Sequence, residues 1–216
     1  LKELEIKNTP GTFIHSELFT SKNILVKVIL NCTSSSDTIL SIEKWHADLL
    51  EELTLQDFLI PKLDPCFFPN MPKLNYLELN NNEISKIELD SFKNLNQLEI
   101  LDLSNNEIEH LEPNVFSNNL FRLRELNLSE NKICSLNNES FKGLENLNQL
   151  KLNRNALEFK TDVTSFIYLK RLERLYLGHN EIVTLKNGLL FEGLSNLEFL
   201  ELKKNCIKRI EEDDFK

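Results

Sequence analysis

Apolar and polar positions alternate along this chain in short bursts, and the bursts recur in one frame, L-x-x-L-x-L-x-x-N. Leu74, Leu77, Leu79 and Asn82 set it. It returns at Leu98, Leu101, Leu103, Asn106 and at Leu123, Leu126, Leu128, Asn131. Leu147, Leu150, Leu152, Asn155, then Leu172, Leu175, Leu177, Asn180, then Leu197, Leu200, Leu202, Asn205 complete the clear series. The L-x-L alternation predicts a short strand with its leucines turned inward and the residues between them turned out. One such strand cannot bury its own apolar face. Stacked copies can, and their strands then pair as a parallel sheet.

The asparagine closes each strand where the chain turns into a partly buried loop. Backbone groups left unpaired there cost about 1–3 kcal/mol each. A side-chain amide both donates and accepts, so stacked asparagines are expected to bond the backbone of their own and the next coil. Asn82, Asn106, Asn131, Asn155, Asn180 and Asn205 form the predicted ladder. A second apolar set follows each frame, as in Ile84, Ile87, Phe92, Leu95 and again in Ile108, Leu111, Phe116, Leu120. Phe141, Phe191 and Phe215 hold the same slot later, and Phe19 and Phe68 hold it earlier. These rings are expected to stack as a spine under the convex side. Fourteen Phe against three Tyr and one Trp suit an aromatic used as core filler.

Working backwards, coils start near residues 1, 25, 50, 74, 98, 123, 147, 172 and 197 of residues 1–216, read as one domain. The first three match poorly. Their asparagine slots hold Thr9, Thr33 and Phe58, and Ser34–Ser36, Asp37 and Trp45 replace the usual Ile and Phe. Terminal repeats are often atypical. The coil from Leu147 also departs at Ala156, Phe159 and residues 160–164, which predicts a bulge or short helical turn. The sequence starts at Leu1 and stops inside a repeat, as a fragment of a longer protein would. Its most apolar stretch, Ile24 to Leu30, is far too short to span a bilayer.

The extended pattern L-x-x-L-x-L-x-x-N-x-I-x-x-I/L-x-x-x-x-F-x-x-L resembles the "typical" class of leucine-rich repeats. That class is familiar from Toll and Toll-like receptor ectodomains, soluble insect leucine-rich immune proteins, and matrix and axon-guidance proteins. The irregular early coils look like the start of a Toll-type or immune-type ectodomain. The resemblance implies an α/β solenoid, a right-handed superhelical horseshoe. Its parallel β-sheet lines the concave face, and irregular or 3-10 segments form the convex face. It also implies a non-catalytic extracellular recognition domain of innate immunity or Toll-type signalling, secreted or on the cell surface. The alternative is a structural or adhesive matrix or axon-guidance protein. The expected partner is a protein ligand or co-receptor, with homo- or heterodimers open, and membrane attachment only through a region outside this sequence.

Charge refines the picture. Thirty-four acidic against 25 basic residues leave a net charge of −9, which argues against nucleic acid as partner. Early coils present Glu3, Glu5, Glu51, Glu52, Asp57, Glu78 and Asp102 outward, and later coils Lys151, Arg154, Arg174, Lys203 and Lys204. This is either a solvated face or a polarised surface that orients a partner. Among outward strand positions, Tyr76 beside Ile100 forms one candidate binding patch. Arg174, Tyr176 and His179 beside Phe199, with Arg154, form the other.

Cys32 and Cys66 lie on adjacent coils, and a disulfide between them needs Cα atoms within about 7 Å. Cys134 and Cys206 are three coils apart and should not pair with each other. Each is a free thiol, a buried filler or an intermolecular partner. Asn31-Cys32-Thr33, Asn127-Leu128-Ser129 and Asn138-Glu139-Ser140 match the glycosylation acceptor pattern. Asn138 falls on a convex loop and is the best of the three. A glycan on Asn127 would block the centre of the concave face. His15, His46, His110 and His179 have no partners at metal-ligand spacing, and the five glycines form no phosphate-cradling loop. No metal, cofactor or catalytic residue is expected.

Overall fold

The computed structural model describes residues 1–7, 25–31, 42, 44–116, 119–159, 164–185 and 189–215. Nine parallel strands form one sheet. In order they are β1 (Glu3–Ile6), β2 (Lys27–Asn31), β3 (Glu52–Gln56), β5 (Tyr76–Glu78), β7 (Ile100–Asp102), β8 (Glu125–Asn127), β9 (Gln149–Lys151), β10 (Arg174–Tyr176) and β11 (Phe199–Glu201). A smaller sheet pairs β4 (Lys62–Leu63) with β6 (Lys86–Ile87). The second leucine of every frame is in register with its neighbours. Leu53, Leu77, Leu101, Leu126, Leu150, Leu175 and Leu200 form one row, continued by Val28 and Leu4. A slip of one residue would turn every leucine outward, so burial locks this register.

The asparagine ladder is present, but it runs the opposite way from the expected one. Each asparagine bonds its own coil and the preceding coil, not the following one. Asn106 Oδ1 accepts from the Asn82 N–H (3.0 Å) and the Ile84 N–H (2.9 Å). Its Nδ2 donates to the Leu79 carbonyl (2.9 Å) and to Leu103 of its own coil (3.0 Å). Asn131, Asn155, Asn180 and Asn205 repeat the scheme on Ile108, Ile133, Leu157 and Ile182. Asn82 likewise takes the Phe58 N–H (2.8 Å). The direction follows from the turn, which carries the amide back under the coil before it.

The convex side is made of turns and two 3-10 segments, Leu189–Phe191 and Glu212–Phe215, with no α-helix among the described residues. A phenylalanine spine lies beneath it. Phe92 stacks on Phe68 and on Phe116 at 6.1 Å each, Phe141 on Phe166 at 5.8 Å, and Phe191 on Phe215 at 5.8 Å. Phe166 was not expected in the spine. It fills the slot in the coil from Leu147, and Phe159 meets its edge. In the irregular early coils Trp45 and Ile42 are buried. Phe19, Thr9, Thr33, Ser34–Ser36, Asp37, residues 160–163 and His15 lie outside the described residues, as does Cys32. Cys66, Cys134 and Cys206 carry free, exposed thiols.

Candidate functional site

Register turns the outward strand positions into columns that cross the concave sheet. The first column reads Glu52, Tyr76, Ile100, Glu125, Gln149, Arg174 and Phe199. Tyr76 and Ile100 are therefore neighbours, as are Arg174 and Phe199. The second column reads Thr54, Glu78, Asp102, Asn127, Lys151, Tyr176 and Glu201. Tyr176 and Phe199 meet diagonally, ring centroids 5.1 Å apart and tilted by 44°. The two aromatic patches are separate, because two polar strands stand between Ile100 and Arg174.

A further row arises from backbone geometry. The residue before each ladder asparagine takes a left-handed conformation, namely Asn81, Asn105, Glu130, Arg154, His179 and Lys204, as does Asp57 before Phe58 in the same slot, with φ between 51° and 61°. Such a conformation is costly for any residue but glycine. Stacking supports it at Asn81, Asn105, Glu130, Arg154 and His179, whose N–H groups reach carbonyls of the following coil, as from Arg154 to Gly178 (2.9 Å) and from His179 to Lys203 (2.8 Å). Arg154, His179 and Lys204 thereby stand in line at the carboxyl ends of three consecutive strands. At Gly178 an added side chain would press on Glu201 and Lys203, whose ion pair (2.5 Å) lies across it.

The two ends of the sheet differ in electrostatics. In the early half the central carboxylates, Glu78 and Asp102, are held by neighbours. Glu78 accepts from Thr54 Oγ1 (3.1 Å), Gln56 Nε2 (2.8 Å) and the Tyr76 hydroxyl (3.1 Å). Asp102 accepts from Ser104 Oγ (2.5 Å) and Asn127 Nδ2 (2.8 Å). In the later half, Lys151, Arg174 and Lys204 have no carboxylate within 4.0 Å among the described residues, while Arg154 has a loose contact to Glu130 (3.7 Å). Loss of solvation, then the charges of Lys204, Arg154 and Lys203, holds His179 below the ordinary histidine range. Phe199 is 45% exposed.

The Tyr76 network yields a pH prediction. Burial, then the Glu78 charge and hydrogen bond, pushes the phenol up to about 12 from 10. The folded state thus holds this proton more tightly than the unfolded chain. The contribution to stability is complete below pH 10 and is lost as pH rises through about 12. Tyr76→Phe should flatten the decline of denaturant-measured stability across that window. An unchanged slope would show that the folded state does not hold this proton more tightly than the unfolded chain.

Of the sequons, Asn31 donates to Gln56 Oε1 (3.1 Å), and Asn127 is engaged with Asp102 and Ser129. Asn138 is exposed on the convex side, its Oδ1 accepting the Thr164 N–H (3.0 Å). His110 Nδ1 lies 4.0 Å from Cys134 Sγ. No group of three metal-ligating side chains occurs among the described residues.

Profiles of the family described as Leucine rich repeat match residues 48–108, 82–133, 96–157, 121–182 and 170–216. The chain belongs to the leucine-rich-repeat family. The matches begin at residue 48, at the third of the irregular early coils, one coil before the regular frame sets in at Leu74. Solved structures similar to this leucine-rich-repeat domain include Toll-like receptor ectodomains. TLR13 in a complex with ssRNA13 is 28% identical, with a TM-score of 0.76 over 87% of this chain and 26% of that one. Drosophila Toll bound to Spatzle, in glycosylated form, is 22% identical, with a TM-score of 0.71 over 92% of this chain and 31% of that one. The chain thus spans about a quarter to a third of these receptors' length. No curated protein matches it in sequence. Among the described residues no helix is long and apolar enough to cross a membrane.

Proposed function

We propose that this domain is a non-catalytic, extracellular recognition module of a Toll-type or innate-immune protein, and that it binds a protein ligand through the later half of its concave sheet. The carrying observation is the Tyr176–Phe199 pair, 5.1 Å apart, with Arg174 in register beside Phe199 and free cations around it. Exposed aromatic rings next to arginine are the usual anchors of protein interfaces. The acidic early half, with Glu78 and Asp102 fixed by neighbours, disfavours wrong partners and orients the right one. One similar structure was solved with single-stranded RNA and another with the protein Spatzle. For this chain a net charge of −9 and an acidic sheet half favour protein over RNA.

The test uses the secreted domain, with Spatzle and a single-stranded RNA as probes in biolayer interferometry. Spatzle, or a ligand of that class, should bind at physiological salt and RNA should not. Tyr176→Ala with Phe199→Ala should weaken protein binding at least about tenfold without lowering the melting temperature. Saturable RNA binding, or an unaffected double variant, would overturn the assignment. Intact mass of the same material should show a glycan lost in Asn138→Gln; an unglycosylated product with all thiols free would contradict the extracellular placement.

A further inference from the structure

A second polar surface lies off the concave sheet, on the lateral edge that leads into the strands. There Arg122, Arg124 and Arg171 line one shallow groove of about 490 Å³ with the exposed Phe121 and with Asn146. All three arginines are exposed. Arg124 makes only a loose contact to Glu99 (4.0 Å), and Arg122 and Arg171 have no carboxylate within 4.0 Å among the described residues. The groove lining therefore sets three cations against Glu99, with Glu173 at its margin, on a protein of net charge −9. Its floor is rigid. Asn146 Nδ2 donates to the Phe121 carbonyl (2.7 Å), and Asn148 Nδ2 donates to the Arg171 carbonyl (3.4 Å) and to Glu173 (3.1 Å).

We propose that this edge is a second docking site, for an acidic, proline-bearing segment of a partner protein. Arg122 and Arg171 occupy the same place in coils two steps apart, about 10 Å at the strand spacing. A polyproline II segment brings residues i and i+3 to the same side about 9.3 Å apart. Two carboxylates at that separation meet both guanidinium groups, each able to bind one in bidentate fashion. Prolines at the two positions between them hold the segment in that conformation, because the ring fixes φ close to the polyproline II value. A polyanion fits less well. Glu99 and the overall negative charge repel a long run of phosphates or sulfates, while two isolated carboxylates are drawn in locally.

The experiment measures fluorescence anisotropy of a labelled peptide Gly-Glu-Pro-Pro-Glu-Gly with the intact domain. Saturable binding is expected, weakened by rising salt and abolished when both Glu are Gln. Arg122→Glu and Arg171→Glu should each raise Kd about tenfold or more, with the melting temperature unchanged because both side chains are exposed. Tyr176→Ala with Phe199→Ala should leave peptide binding intact, so failure of the concave-face reading and failure of this one are distinguishable. The proposal is overturned by no saturation up to about 1 mM peptide, or by unchanged affinity in the Arg122→Glu, Arg171→Glu double variant. It is equally overturned if a heparin octasaccharide binds the groove more tightly than the peptide.

Discussion

Asn106→Ala should destabilise the domain by about 4 kcal/mol, more than any other single change in the asparagine ladder. The residue is buried, and its amide serves two coils at once. Truncation orphans the N–H groups of Asn82 and Ile84 and removes donors from the Leu79 and Leu103 carbonyls. Each buried N–H left without a partner costs about 1–3 kcal/mol, and a methyl group leaves no room to replace the bonds. The melting temperature should fall on the order of 10 °C. Asn106→Asp keeps the accepting oxygen but loses the donors, so it should fall between wild type and Ala. Asn205 is half-buried and accepts only from Ile182, so Asn205→Ala should cost clearly less. Both residues bridge two coils, so a scan by differential calorimetry that finds Asn106→Ala as mild as Asn205→Ala would refute the weight given to burial and to the second accepted N–H.

Phe92→Ala should cost about 3–5 kcal/mol, the usual range for removing a buried phenylalanine. The ring is 3% exposed and lies between Phe68 and Phe116, with interplanar angles of 24° and 20°. Its removal opens a cavity and breaks two stacked contacts. Repeat arrays pass stability between nearest neighbours, so the loss should appear in amide exchange of the flanking coils first. Phe92→Leu should recover most of it. Phe215 is 55% exposed and stacks on Phe191 alone, and Phe215→Ala should cost about 1 kcal/mol, the order of a single aromatic contact. The surface ion pair of Lys132 with Glu107 should contribute no more than about 0.5 kcal/mol. If Phe92→Ala costs as little as Phe215→Ala, the spine is not a packed core. The two large effects arise differently. Asn106 protects backbone groups from being buried alone, whereas Phe92 fills volume.

Much of this was legible in the leucine frame because strand alternation and repeat period are local signals. Leu77 and Leu101 had to point the same way, and 24 residues between them had to make one coil. The ladder asparagines were legible for the same reason, since one amide type recurred at one place. Its direction was not. Whether the amide faces the coil before or after depends on the path of the turn. Phe166 was missed although F-x-x-L stands at 166–169, because residues 160–164 disturbed the expected spacing. The candidate residues Arg174, Phe199, Tyr76 and Ile100 were paired correctly, since a shared frame position implies a shared column.

Repeat class, strand register and the inward residues thus follow from the order of amino acids alone, because each is set by whether a side chain can be buried. The outward chemistry is different. The carboxylates of Glu78 and Asp102 are held by Thr54, Gln56 and Asn127 from adjacent coils. The left-handed row that lines up Arg154, His179 and Lys204 belongs to the recurring turn, held at Arg154 and His179 by bonds to the following coil, and no local preference of arginine or lysine favours it. Arg122 and Arg171 share a frame position, but that they line one groove with Phe121 and Asn146 emerges only from the stacked coils. Residues some 25 or 50 positions apart become neighbours through stacking, and the period leaves those outward positions unconstrained. Their charges and contacts therefore belong to the tertiary structure, and so does the specificity built on them.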